Sequence, residues 1–223
     1  MKILALDTST EACSVALWAD GTVTERYELG SQHSGRILPM TQEVLAEAGL
    51  VLTQLDAVAF GRGPGSFTGL RICAGVAQGL AFGADVPVVP VSSLAALAQG
   101  VDAPRVLAAF DARMEQLYWG AYVRNAQGLV EPGGTEKVVA PRDVPVPADS
   151  GWIGAGGGWD RYAAILLSRL GNSVREWRAQ CFPRARFVAQ LGADEYARGR
   201  ALAPEQALPV YLRDEVAVKR TKR

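Results

Sequence analysis

Between residues 34 and 50, apolar side chains fall at Ile37, Leu38, Val44, Leu45 and Ala48, the spacing of one helix face. Elsewhere the apolar positions come in short runs that read as strands: KILALD (2–7), ACSVALWA (12–19), TVTERYEL (22–29), DAVAFG (56–61) and VPVVPV (86–91). Asp20-Gly21 between the second and third runs is a two-residue hairpin signal. Helices are predicted over 66–83, following a glycine-rich loop, and over 92–100, starting at a serine cap. A second copy of the opening pattern then follows. RVLAAFD (105–111) ends in aspartate like KILALD, and a four-residue connection, ARME in place of TSTE, leads to the strand QLYWGAYV (116–123).

That echo predicts an α/β protein of two lobes, each a mixed sheet with helices. Residues 1–100 form the first lobe and 101–189 the second, with about 190–223 packing back on the first. The proline- and glycine-rich stretch 131–151 reads as loop with one strand near Val138-Val139. WIGAGGGWD (152–160) reads as strand plus glycine turn. Helices are predicted around RYAAILLSRL and RARFVAQLGADEYARGR, the latter returning to the first lobe.

Composition narrows the classes. Among 223 residues, 49% hydrophobic, 23 basic and 23 acidic side chains cancel, so no bulk attraction for nucleic acid is expected. The basic tail VKRTKR reads as a solvated terminus, with an RNA contact as the lesser alternative. Cys13, Cys73 and Cys181 have no metal-type spacing, and Cys13 and Cys73 sit among apolar neighbours as small core residues. No run reaches membrane-span length and the N-terminus lacks a signal-peptide layout, so a soluble cytoplasmic protein without membrane contact is expected.

The chemistry-bearing candidates are few. GRGPGSFTGLR (61–71) contains no lysine and misses the dinucleotide spacing in both registers. What remains is a loop ending at a helix capped by Ser66, a geometry able to hold an anion but commonly structural. Asp7 and Asp111 end strands at matching places, and Thr8 and Ser9 add donors, so these four are the nucleotide-binding candidates. Their turns, DTST and DARM, lack the glycines that close phosphate approach needs, which favours loss of tight nucleotide binding. GAGGGWD could accept an adenine ring or serve a plain strand-to-helix crossing. His33 is the sole histidine, too few for a histidine-based metal site, and no nucleophile has a visible base. Neither a metal nor a cofactor is expected. In the helix 66–83, Thr68, Ile72, Gly75 and Gly79 form a stripe of mostly small side chains that lets another helix approach closely.

Five separated blocks, ILALDTSTEACSVALW, QHSGRILPM, GRGPGSFTGLRI with AQGLAFG, LAAFDARMEQLYWGAY and PVYLRDEVA, resemble the bacterial TsaB family, also called YeaZ. The resemblance is loose between about 125 and 200. It implies an actin/Hsp70-like two-lobed fold and a role in making threonylcarbamoyladenosine, the modified adenosine beside the anticodon of tRNA. Members are non-catalytic relatives of the TsaD transferase subunit, which they organise together with a TsaE ATPase; tRNA is met only indirectly, through the complex. The catalytic relative carries His-x-x-x-His after the strand equivalent to VPVVPV, where this chain places Ser93 and Leu97. The partner interface, also used for a homodimer when the chain is alone, is expected at His33, Arg36, Ile37, Leu38, Met40, Phe67, Thr68, Arg71, Ile72, Gly75 and Gly79. The alternative is a small ATP-dependent kinase or ATPase working through Asp7 and Asp111; a metalloprotease is undercut by the missing histidine pair.

Overall fold

In a computed structural model, residues 1–30 and 32–213 are described; Ser31 and the basic tail lie outside them. Among these residues the chain builds two mixed sheets flanked by helices. The first sheet opens with β1 (Lys2–Asp7), β2 (Ala12–Ala19) and β3 (Thr22–Leu29) in antiparallel register. Asp20 and Gly21 turn the β2–β3 hairpin with φ of 49° and 88°, the left-handed pair such a turn requires. β4 (Ala57–Gly63) and β5 (Val88–Ser92) then add in parallel, giving the order β3-β2-β1-β4-β5. β1 is an unbroken apolar run because helices cover both sides of it.

Alternate residues of those strands feed two cores. Leu4, Leu6, Val15, Val58 and Phe60 pack under α1 (His33–Glu47) and α2 (Phe67–Ala84). Ile3, Ala5, Ala16, Ala59 and Val89 face α3 (Ser93–Gln99) and α5 (Ala185–Ala197). α5 thus returns from the far end of the chain to close the first sheet, anchored where Ser14 Oγ accepts from Ala185 N at 2.8 Å. Arg184 adds an ion pair to Glu25, whose side chain is only 7% exposed.

The second sheet repeats the opening with β6 (Arg105–Asp111) and β7 (Leu117–Arg124), antiparallel from Arg105↔Val123 to Asp111↔Leu117. Three small strands went unforeseen or barely foreseen: β8 (Val130–Pro132), β9 (Lys137–Val139) at the expected Val138-Val139, and β11 (Val174–Arg178) beyond β10 (Trp152–Ala155). α4 starts at Gly157, four residues earlier than its apolar pattern, and ends at Leu170. Gly154 and Gly158 make room for this crossing, since a Cβ on Gly154 would lie 2.4 Å from the Trp159 indole. Of the two readings of GAGGGWD, adenine acceptor or plain strand-to-helix crossing, the structure shows the crossing, and the ring over Gly154 is the chain's own Trp159. Trp159 is fully buried there, its Nε1 donating to Leu107 O at 2.8 Å, so no adenine fits over Gly154.

Candidate functional site

The loop GRGPGSFTGLR lands on the DTST turn. Ser66 N donates to Ser9 O at 2.7 Å, Thr8 Oγ1 donates to Gly69 O at 2.7 Å, and Ser66 Oγ caps α2 by accepting from Gly69 N at 3.4 Å. The glycines are there for this contact: a Cβ on Gly69 would sit 2.0 Å from Thr8 O, and one on Gly65 2.3 Å from Ser9 O. Space that a phosphate would occupy is filled by backbone, and the loop holds its own turn.

Asp7, Thr8 and Ser9 consequently have no exposed surface. Asp7 Oδ1 accepts from Ser9 N at 2.9 Å and Ser9 Oγ at 2.7 Å, and Oδ2 accepts from Ser93 Oγ at 3.3 Å. Burial outweighs those hydrogen bonds and pushes its carboxyl up to about 6. Asp111, its echo, lines an open cleft of about 1080 Å³ that Asp7 does not reach. There Asp111 accepts from Arg113 N at 2.9 Å and pairs with Arg113 and Arg161 at 3.4 and 3.6 Å. The four nucleotide candidates are thus not brought together on one surface. Ser9 borders the cleft beside Asp111, but its side chain is fully buried and its hydroxyl is spent on Asp7. For Asp7 and Thr8 the expectation is corrected, because neither reaches the cleft. Among the described residues no three His, Cys, Asp or Glu side chains converge on one point, and no helix is long and apolar enough to cross a membrane.

The expected interface residues divide by exposure. Thr68, Arg71, Gly75 and Gly79 are exposed along α2, with Ile72 half-buried beside them. A Cβ added to Gly75, Gly79 or Gly83 meets nothing within 4 Å, so the stripe is open and one turn longer than expected. Leu38 projects from α1 at 47% exposure and Phe67 from the start of α2 at 54%. Arg36 is held to Glu28 by two hydrogen bonds, at 2.9 and 2.6 Å. His33 begins α1 at the edge of the cleft, and its Nδ1 is buried without a hydrogen-bond partner. Ile37 and Met40 are corrections: both are fully buried against the first sheet and offer nothing to a partner. They lie on the inward stripe of the same helix, which periodicity alone does not separate from the outward one.

Sequence reasoning missed the residues that join this face to the cleft. Tyr211 stacks on Phe67 with ring centroids 5.7 Å apart, Arg71 lies 3.8 Å over the Phe67 ring, and Arg71 Nε donates to Tyr211 OH at 3.2 Å. Arg213 then reaches the β6–β7 turn and donates to Ala112 O at 3.0 Å and Gln116 Oε1 at 2.5 Å. That turn carries three successive left-handed residues, Arg113, Met114 and Glu115, and presents Met114 at 79% exposure. The only sequence signal was the block PVYLRDEVA, which contains both Tyr211 and Arg213.

Along nearly its whole length the chain is similar to a known group of proteins. TsaB of Escherichia coli strain K12, a tRNA threonylcarbamoyladenosine biosynthesis protein, is 46% identical over 99% of this chain and 98% of its own length. The chain belongs to the TsaB family. The Haemophilus influenzae protein of the same name is 41% identical over 99% of the chain and 97% of its own length. The solved structure of YeaZ from Pseudomonas aeruginosa superposes with a TM-score of 0.87 at 47% identity, covering 95% of this chain and 99% of that one. A second structure, described as an uncharacterized protein with similarity to peptidase YEAZ from Pseudomonas aeruginosa, gives 0.88 over the same coverage. Residues 27–144 also match the family described as TsaD, tRNA N6-adenosine threonylcarbamoyltransferase. That span runs from β3 through β7 to the loop after β9, and so takes in α1, α2 and the loop between β4 and α2.

Proposed function

We propose that this TsaB-family chain acts in tRNA threonylcarbamoyladenosine biosynthesis as a non-catalytic subunit that binds and organises a TsaD-like transferase, together with a TsaE-like ATPase. It does so as a soluble cytoplasmic protein on a two-lobed actin/Hsp70-like scaffold, meets tRNA only through the complex, and pairs with itself when the transferase is absent. One observation carries the reading: the stripe Gly75, Gly79 and Gly83 on α2 faces open space, flanked by the exposed Phe67 and Arg71. A glycine inside a helix costs about 1 kcal/mol relative to alanine, so three on one face need a return, and close approach of another helix supplies it. The buried Asp7 and the filled loop speak against nucleotide chemistry in this subunit.

Gly75→Leu tests this. The side chain has room in the isolated chain, so the variant is expected to fold with unchanged or slightly raised stability. Its affinity for the transferase subunit should drop roughly 10- to 100-fold, the cost of one to three kcal/mol for forcing a bulky group into a close helix contact. Pull-down and tRNA modification assays read the two effects separately. Full binding by a well-folded Gly75→Leu chain would remove the argument.

A further inference from the structure

On the side of the first sheet away from α1 and α2, a second cavity of about 890 Å³ opens between α5, the end of β5, and β8 with the 133–136 loop that follows it. Its floor is a hydroxyl–carboxylate cluster drawn from both sheets. Ser92 Oγ and Tyr122 OH both donate to the same oxygen, Oε1 of Glu136. Ser92 Oγ also accepts from Ala95 N at 3.2 Å. Tyr122 is 1% exposed, and burial together with the adjacent Glu136 carboxylate pushes its phenol well above the ordinary value, so it stays a donor. Both hydroxyl protons are committed to Oε1, and Oε2 of Glu136 has no hydrogen-bond partner among the described residues.

Arg62 lines the same cavity from the end of β4, close enough for its charge to be felt at Tyr122. Among the described residues it forms no ion pair, although it is half-buried, an environment in which an unpaired guanidinium is costly. The charges on the α5 wall are already matched, Asp194 with Arg198 at 2.9 Å and Glu195 with Arg200 at 3.1 Å. Among the described residues the Arg62 guanidinium and one oxygen each of Glu136 and Glu131 are left over, the other Glu131 oxygen accepting from Asn125 Nδ2 at 2.9 Å. Glu131 is exposed, whereas Glu136 is half-buried. Aliphatic side chains line the same cavity: Val91, Ala95, Leu129, Leu191 and Val210. A pocket with apolar walls and a few convergent polar groups is the general form of a small-molecule site.

We propose that this cavity binds a small zwitterion, a free α-amino acid or a dipeptide that carries both charged termini. Its carboxylate meets Arg62, its ammonium meets Oε2 of Glu136, and an aliphatic side chain lies against Val91, Leu129 and Leu191. A carboxylate on a guanidinium forms the bidentate pair that Arg62 lacks. An ammonium supplies the donor that Glu136 has left over. The cluster joins β5 to β7 and the 133–136 loop, so an occupant would also tie the two sheets together. This proposal does not depend on the α2 face, and its variants leave that face untouched.

The test is a titration of the full chain followed by backbone amide shifts, with four probes: L-leucine, 4-methylpentanoate, 3-methylbutylamine and glycyl-leucine. L-Leucine is expected to shift the amides of Leu129, Gly134 and Thr135 saturably, with a Kd in the millimolar range or below, about 1 mM corresponding to 4 kcal/mol. The two single-charge probes should bind at least about 10-fold more weakly, since each leaves one half-buried charged partner unmatched. Arg62→Met and Glu136→Gln should each weaken L-leucine by a similar factor. Arg62→Met carries the test should Glu136→Gln disturb the fold. Saturation by glycyl-leucine alone assigns the site to a dipeptide rather than a free amino acid. Absence of shifts with both L-leucine and glycyl-leucine up to about 50 mM, or equal binding of 4-methylpentanoate, overturns the proposal.

Discussion

Trp159→Ala should cost about 3–5 kcal/mol, the usual range for removing a fully buried large aromatic side chain. The indole packs on Gly154 and lies 6.1 Å, centroid to centroid, from Trp119, within a cluster that also holds Leu107, Ala109 and Leu117. Its removal leaves a cavity lined by parts that relax little, because β6 and β10 are paired in register directly beneath it. Leu107 O, which accepts from Nε1, loses that partner as well. For a chain of this length the melting temperature should fall by roughly 10 °C, readable by calorimetry. A drop of no more than 2 °C would mean that the second sheet does not depend on this ring. Trp159→Phe, which keeps one aromatic ring but leaves part of the indole volume empty and lacks the donor, should recover only part of the loss.

Asp7→Asn is expected to make the protein more stable at pH 8. The Asp7 carboxyl is raised from 3.8 to about 6 by burial, so between those values the folded chain holds a proton that the unfolded chain has released. Stability from this group is unimpaired below about pH 4, falls as pH rises through 6, and above that the cost of a buried charge is carried in full. That cost is on the order of 3 kcal/mol. Asparagine keeps an acceptor for Ser9 N and Ser9 Oγ and turns the other position into a donor toward Ser93 Oγ. Its gain should be 1–3 kcal/mol at pH 8 and near zero at pH 4, measured from urea midpoints at both values. A variant less stable than the parent at pH 8 would show that Asp7 is held as a carboxylate for a purpose.

These outcomes bear on what the chain let a reader see in advance. The hairpin and its echo were legible because KILALD, ACSVALWA and RVLAAFD are apolar runs that end where their backbones turn, and Asp20-Gly21 names its own turn. β11 was not, because VREWR is an edge strand, largely exposed, in which only Val174 is buried. α4 was entered late because its first turn is glycine, which hides helical periodicity. On the site, the open stripe of α2 could be read from residue size, whereas Ile37 and Met40 could not be told from Leu38 until the helix was laid on its sheet. Asp7 and Asp111 look alike in sequence; only the loop between β4 and α2 buries one and leaves the other in the cleft. Tyr211 and Arg213 sit 140 and 97 positions from Arg71 and Gln116, beyond any local pattern.

The return of α5 to the first sheet sets the order in which this protein can be made. A ribosome releasing the chain from its N-terminus exposes β1 to β5 long before residues 185–197 emerge, and until then Ala5, Ala16, Ala59 and Val89 lack the α5 part of their cover. The nascent first half must wait, partly open, while the whole second sheet is synthesised. Fragments ending near residue 100 or 180 should therefore be caught by chaperones or precipitate, and only the nearly full-length product should leave translation soluble.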